Sequence, residues 1–349
     1  MNKKNQKTLE VVIPIYNEQE MMEELFSQLI SFKKRLEEKV RVDFILVNDG
    51  SIDASLDQLI AYADQYPFVK VINLSRNYGH QVAITTGINH SSADYVAIID
   101  ADLQDPIHLI EAMYDKALEG YDCVYGKRIE RKGESVFKKV SAKAFYYVMK
   151  KMCKVSIPRD TGDFRLISRR VVEALRQMPE IHRVTRALIP WTGYRSYALS
   201  YSREPRFAGS TKYSLRKMLS LSMDAMISFS VWPLRVATIT GLLITFLGSI
   251  GALYMLYMKL FYPEFVRPGL TATLLAIVII GGFQMMMLGL CGEYIGRIFE
   301  EVKRRPLCFI DGLWNFDKTE EPSVESLIKK SQVKYQKPIS PGKLHKEII

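Results

Sequence analysis

Cysteine is scarce in this chain, with four among 349 residues: Cys123, Cys153, Cys291 and Cys308. No two form a C-x-x-C pair, which argues against a disulfide framework and against a zinc site. An acidic excess is missing too. Lys and Arg number 48 against 38 Asp and Glu, a formal net charge of +10. Such a balance suits nucleic acid, an anionic membrane surface or phosphorylated substrates. No stretch reads as a nucleic-acid module and the basic residues crowd toward the apolar C-terminal runs, so membrane surface and phosphate are expected and nucleic acid is not. The start, MNKKNQKTLEVVIP, has no long apolar core and no A-x-A site, so no signal peptide is expected there.

What is present first is an alternation of short β-rich runs with amphipathic stretches. Leu9 to Pro14, Val42 to Asn48, Val69 to Leu74, Tyr95 to Ile99 and Asp122 to Tyr125 are apolar on both faces, as buried strands of a mostly parallel sheet are. Glu18 to Lys39, Ser55 to Gln65, His80 to His90 and Pro106 to Glu119 read as helices between them, Pro106 fitting a first helical turn. The order predicts an α/β sheet with crossover helices. Ligands of such sheets bind beyond the C-terminal strand ends. Four runs deliver polar clusters there: Tyr16-Asn17-Glu18, Asn48-Asp49-Gly50-Ser51, Ser75-Arg76-Asn77 and Asp100-Ala101-Asp102.

Two long apolar runs follow, from Val236 to about Met258 and from Gly269 to about Gly292. Each is long enough to cross a hydrocarbon core of about 30 Å. Lys303, Arg304 and Arg305 lie beyond the second run, which places the tail, and after two crossings the preceding domain, in the cytoplasm. The expected organisation is a catalytic domain over 1–212, a juxtamembrane segment over 213–231, a two-helix transmembrane hairpin over 232–298 and a tail over 299–349. Tyr213 to Phe229 reads as an amphipathic stretch, either lying in the membrane interface or packed on the domain. The tail after Asp317 is polar and lysine-rich and is expected to be non-catalytic.

The Asp100-Ala101-Asp102 triplet carries the strongest chemistry. Two carboxylates ending a buried strand repel one another, and a hard divalent cation, Mg²⁺ or Mn²⁺, relieves that repulsion. Such a cation can bridge a diphosphate and neutralise it as it leaves. Gln104 and Asp105 extend the cluster. Asp49 can accept a hydrogen bond from a base N–H such as that of uracil, and the D-G-S-x-D run equally suits a turn or helix cap.

These motifs, Val12-Ile13-Pro14-Ile15-Tyr16-Asn17-Glu18, then Val47-Asn48-Asp49-Gly50-Ser51, then Asp100-Ala101-Asp102-Leu103-Gln104-Asp105-Pro106, resemble those of family 2 inverting glycosyltransferases of the GT-A fold. More narrowly, they are similar to polyprenyl-phosphate glycosyltransferases, the group of bactoprenol glucosyltransferases and dolichol-phosphate mannose synthases. Leu74 to Gln81 and Asp160 to Leu166 support this, and two C-terminal membrane helices point to the bactoprenol branch. The resemblance spans roughly residues 8–310 and leaves the sugar open.

The resemblance implies roles. Pro14, Tyr16, Glu18, Asp49 and Arg76 would line the nucleotide-sugar site. Asp100 and Asp102, with Gln104, would hold the metal and diphosphate. Asp163 would stand near the acceptor, as a catalytic or orienting group or as a buried carboxylate paired to Arg165 or Arg128. Arg128 and Arg131 would meet the acceptor phosphate, and Arg203, Arg206 and Lys212 would close over the diphosphate. Plain attraction to the membrane surface remains an alternative for each arginine of these basic segments. The implied partners are a nucleotide-sugar donor (UDP-glucose or a UDP-N-acetylhexosamine), a polyprenyl (undecaprenyl) phosphate and the membrane, with homo-oligomerisation left open. Processive polysaccharide synthases share the early motifs but usually carry Q-x-x-R-W. Here Gln177 precedes Met-Pro-Glu and Trp191 has no such context. A catalytically silent scaffold is a second alternative, against which the intact Asp100/Asp102 pair speaks.

Overall fold

The structure, a computed structural model, describes residues 6–129, 161–181, 183–202, 232–262 and 269–316. Eight strands form one mixed sheet in the order β7-β5-β6-β4-β1-β2-β3-β8. Its centre is parallel: β1 (Thr8–Ile15) lies between β2 (Arg41–Asn48) and β4 (Tyr95–Ile98), and β3 (Val69–Leu74) continues beyond β2. β6 (Thr161–Ser168) runs antiparallel to both β4 and β5 (Cys123–Arg128), and β7 (Ser196–Tyr201) is parallel to β5.

The central strands are apolar on both sides because both sides are covered. On one face α1 (Met22–Leu36), α2 (Ser55–Gln65) and α4 (Leu109–Leu118) bury Leu25, Phe26, Leu59 and Met113 against Leu9, Val11 and Phe44. On the other, α3 (His80–His90), α5 (Arg169–Arg176) and α6 (Thr185–Trp191) bury Ile84, Val172 and Leu188 against Val12, Ile45 and Ile98. α3 comes close because residue 87 is glycine: a Cβ there would stand 2.4 Å from Val12 Cγ1. α1 starts at Met22 rather than Glu18. Side chains of the β2–α2 loop take the backbone N–H groups of residues 17–19, holding them in a loop instead.

β8 (Ile310–Trp314) was not read from the sequence. It pairs antiparallel with β3 as an edge strand, so the sheet draws on the segment expected to be tail. Asn315 Nδ2 donates to the carbonyls of Ala63 and Val69, at 2.6 and 2.8 Å, fastening the chain beyond β8 to α2 and β3. Phe309 O accepts the Ser75 N–H at 3.0 Å.

Between β7 and β8 in the chain come two long helices, α7 (Trp232–Phe261) and α8 (Leu270–Lys303). Both have the length and apolar character of membrane spans, over Leu234–Met258 and Ile279–Lys303. The second candidate span overlaps the apolar run from Gly269 to about Gly292 and extends past it. Glu293 and Arg297 pair at 3.4 Å on consecutive turns and the helix runs on through them.

Candidate active site

The β1 and β2 ends are laced together. Ser51 Oγ accepts the Asn17 N–H at 3.0 Å, Asn17 Oδ1 accepts that of Ile52 at 2.9 Å, and Ser55 Oγ accepts that of Glu18 at 3.0 Å. Pro14 is buried in β1 and Tyr16 is 46% exposed at its end. Asp49, buried, faces the β3–α3 loop: its carboxylate accepts the N–H groups of Tyr78 and Gly79 at 2.7 and 2.9 Å and Asn77 Nδ2 at 3.1 Å. Burial raises its pKa, opposed by those two backbone donors and by His80. Arg76 joins the same loop, its guanidinium 4.1 Å from the centre of the Tyr78 ring.

Asp100 and Asp102 follow β4. Asp100 Oδ1 is buried and has no hydrogen-bond partner among the described residues; His80 Nε2 lies 3.4 Å from it. Burial first, then the charges of Asp163, Asp102 and Asp105, push the Asp100 carboxyl up to about 6, with His80 pulling the other way. Asp102 Oδ1 accepts the Gln104 N–H at 3.2 Å, closing a tight turn in which Leu103 has φ +52°. Asp105 accepts the Tyr201 hydroxyl at 2.5 Å. Burial and that bond push the Tyr201 phenol up to about 12.

The β6 end supplies Asp163, whose side chain is 5% exposed. Gln81 Nε2 donates to Oδ2 at 2.9 Å, Thr185 Oγ1 to Oδ1 at 3.3 Å and Arg186 to Oδ2 at 3.3 Å, while His80 Nε2 lies 3.5 Å away. Burial alone would raise this carboxyl. The His80 hydrogen bond and the charges of Arg186 and Arg165 outweigh it and hold Asp163 well below the usual carboxylate range. The same contacts raise His80 against its own desolvation.

The structure therefore brings together Asp49, Asp100, Asp102, Gln104 and Asp163 at one sheet edge, with Pro14, Tyr16, Glu18 and Arg76 on the adjoining loops. Arg128 is turned to structural partners: it lies 3.7 Å from Asp105 Oδ2 and donates to the Tyr201 hydroxyl at 3.3 Å. Asp163 pairs with Arg186 rather than with the side chain of Arg128. Arg165 instead donates to the backbone carbonyls of Asp163 and Gly162, at 3.3 and 2.7 Å. Arg131, Arg206 and Lys212, with Arg203 and the stretch from Tyr213 to Phe229, lie outside the described residues. His80, Gln81, Thr185 and Arg186 were not singled out from the sequence. The first two sit in the Leu74–Gln81 run that carries the resemblance, but nothing in spacing marks Thr185 and Arg186, which follow Asp163 by more than twenty residues.

Comparison with known proteins sharpens the picture. Residues 10–176 match the family model for glycosyl transferase family 2. An uncharacterized glycosyltransferase of Synechocystis is 42% identical over 88% of this chain and 96% of its own length. The bactoprenol glucosyl transferase of Shigella phage SfII is 36% identical over 85% of this chain and 96% of its own. A prophage bactoprenol glucosyl transferase homolog of Escherichia coli K12 is 34% identical over 85% and 96%. Among solved structures, a mannosyltransferase of Pyrobaculum calidifontis, in complex with GDP-Man and Mn²⁺, is 16% identical, with a TM-score of 0.46 over 87% of this chain and 89% of that one.

Proposed function

The chain belongs to glycosyl transferase family 2, and on that premise we propose that it moves a sugar from a nucleotide-sugar onto polyprenyl phosphate with inversion, leaving a sugar–monophosphate–lipid. The bactoprenol glucosyl transferases that it resembles over most of their length support a lipid acceptor. The observation that carries the reading is the carboxylate group beyond β4. Asp100 keeps a buried oxygen without a hydrogen-bond partner among the described residues, beside Asp102 and one imidazole away from Asp163.

That arrangement fits a divalent cation shared with substrate. Among the described residues no three His, Cys, Asp or Glu gather into a metal cage. Magnesium-type sites usually offer one or two carboxylates and leave the remaining positions to phosphate and water. Asp100 and Asp102, with Gln104 beside them, would hold the ion. Bound there, Mg²⁺ or Mn²⁺ supplies charge neutralisation for a departing diphosphate.

The chain's own residues do the rest. Asp49 retains acceptor capacity for a base N–H, because a carboxylate has about four lone-pair sites. Tyr16, Glu18, Pro14 and Arg76 would line the nucleotide-sugar site beside it, and Arg206 and Lys212 would close over the diphosphate. The acceptor is an anion already, so positioning and electrostatic stabilisation are the main demands on the site. Its phosphate oxygen attacks the anomeric carbon, the bond from that carbon to the diphosphate breaks, and no proton has to move. An Asp163 held well below the usual carboxylate range suits this: it stays charged and orients its neighbours.

We assign catalysis to residues 1–212 together with β8, the juxtamembrane role to 213–231, and a membrane hairpin to 232–298. An open sheet edge is not stable in hydrocarbon, so one sheet cannot straddle a bilayer. β1 to β7 and β8 belong to one sheet, so an even number of crossings separates them, as a two-helix hairpin requires. The basic residues after α8 support a cytoplasmic position for that side, by the positive-inside rule. The test is purified protein, undecaprenyl phosphate and a panel of radiolabelled nucleotide-sugars. Lipid-extractable label from one donor supports the reading. Label that grows into polymer, or stays water-soluble with every donor, refutes it.

A further inference from the structure

Among the described residues, one cation at the site spends little of itself on structure. Arg186 lies in the first turn of α6 and, among the described residues, makes a single hydrogen bond, to Asp163 Oδ2 at 3.3 Å. Its side chain remains 46% exposed. An arginine carries five N–H donors in a rigid fork, so among the described residues most of that fork is unspent. Other arginines nearby are engaged differently. Arg128 serves Asp105 and Tyr201, Arg165 serves backbone carbonyls, and Arg76 stacks on Tyr78 beside the nucleotide loop.

Asp163, by contrast, is built into place. Gln81 bridges it to α6, donating to Asp163 through Nε2 while its Oε1 accepts both the N–H and the hydroxyl of Thr185, at 3.0 and 2.9 Å. The same hydroxyl proton is shared more weakly with the other oxygen of Asp163, at 3.3 Å. The residue immediately before Arg186 is thereby pinned through backbone and side chain alike. A carboxylate held from two helices and almost sealed from water makes a rigid mount for a guanidinium.

The mount stands where an acceptor phosphate meets a problem. Attack on the donor requires that anion to approach Asp100 and Asp102. His80 lies 3.4 Å from Asp100 and 3.5 Å from Asp163, so the Arg186 fork sits one imidazole and one carboxylate from the metal-site carboxylates. Arginine binds phosphate with paired, charge-assisted hydrogen bonds whose geometry also fixes orientation.

We propose that Arg186 binds the phosphate of the acceptor through its free N–H groups, and that Asp163, with Gln81 and Thr185, is the mount that positions it. The inference rests on the lipid-phosphate reading above. It makes Asp163 a positioning residue and Arg186 a substrate-contacting one.

The experiment uses the full-length protein in detergent, undecaprenyl phosphate as acceptor and the donor selected by the panel. Arg186→Gln should raise the acceptor KM by about tenfold or more, as loss of hydrogen bonds to a charged group does, and leave the donor KM within about twofold, since donor groups are bound elsewhere. Arg186→Lys should recover part of the loss, because charge returns without the fork. Gln81→Leu, which keeps Arg186 but removes its mount, should move the acceptor KM in the same direction. An unchanged acceptor KM in Arg186→Gln, or a rise confined to the donor, would overturn the assignment while leaving the transferase reading intact. Wild-type protein that transfers nothing to undecaprenyl phosphate would overturn both.

Discussion

Asp100 and Asp102 stand where the chemistry of the site concentrates. A buried carboxylate with three acidic neighbours, and with an oxygen that has no hydrogen-bond partner among the described residues, costs stability unless positive charge beyond that of His80 sits beside it. Asp102→Asn should lower transfer by on the order of 10²-fold or more and leave the melting temperature intact, with Asp100→Asn less severe. Turnover near wild type in Asp102→Asn, measured with saturating Mn²⁺, would remove the metal assignment. Gly50 makes a different demand. It has φ +66°, and a Cβ there would stand 2.3 Å from the Arg76 carbonyl carbon, in the loop that holds Asp49. Gly50→Ala should destabilise the protein by about 1–3 kcal/mol and weaken UDP binding together with it, read by thermal melting and titration. Asp49, Asp100 and Asp102 were legible because each ends an apolar run, so sequence order alone puts them on one sheet edge. Arg186 was not, because its meeting with Asp163 depends on how α6 packs on β6.

At the level of elements, the strands and helices of the parallel core were readable for the same reason. Val42 to Asn48 and Val69 to Leu74 are apolar on both faces and bounded by polar turns, and α2 and α3 fall on the residues expected for them. β6 and β7 were missed: they are antiparallel or peripheral additions that follow no helix-strand alternation. β8 was missed because five residues after a membrane helix carry no periodicity of their own; β3 selects them by offering an open edge. Its presence alters what a truncation should do. A chain ending at Phe229 loses β8, the Asn73–Asp311 hydrogen bond of 3.1 Å and the Asn315 contacts to α2 and β3. It also leaves β3 as a bare edge, which invites association. Such a chain should melt lower and bind UDP more weakly than one in which a flexible linker replaces the hairpin and residues 304–316 are kept. Equal stability of the two would show that β8 is dispensable.

On the scale of the whole molecule, β8 ties the far end of the second candidate membrane helix back to the sheet that carries the candidate site. Tags placed before β1 and after residue 316 should therefore be accessible from the same side of sealed vesicles, and access from opposite sides would contradict the pairing of β3 with β8. The charge excess fits the proposed arrangement, since a cytoplasmic domain that received a lipid phosphate would work against an anionic surface. The central claim is that the site breaks the bond between sugar carbon and phosphate oxygen. Its most direct test is to incubate the purified full-length protein with the UDP-sugar selected by the donor panel and undecaprenyl phosphate and to identify both products, the nucleotide by chromatography and the lipid by mass. UDP together with a lipid carrying one phosphate and one β-linked sugar is the predicted result; UMP together with a lipid diphosphate would contradict it.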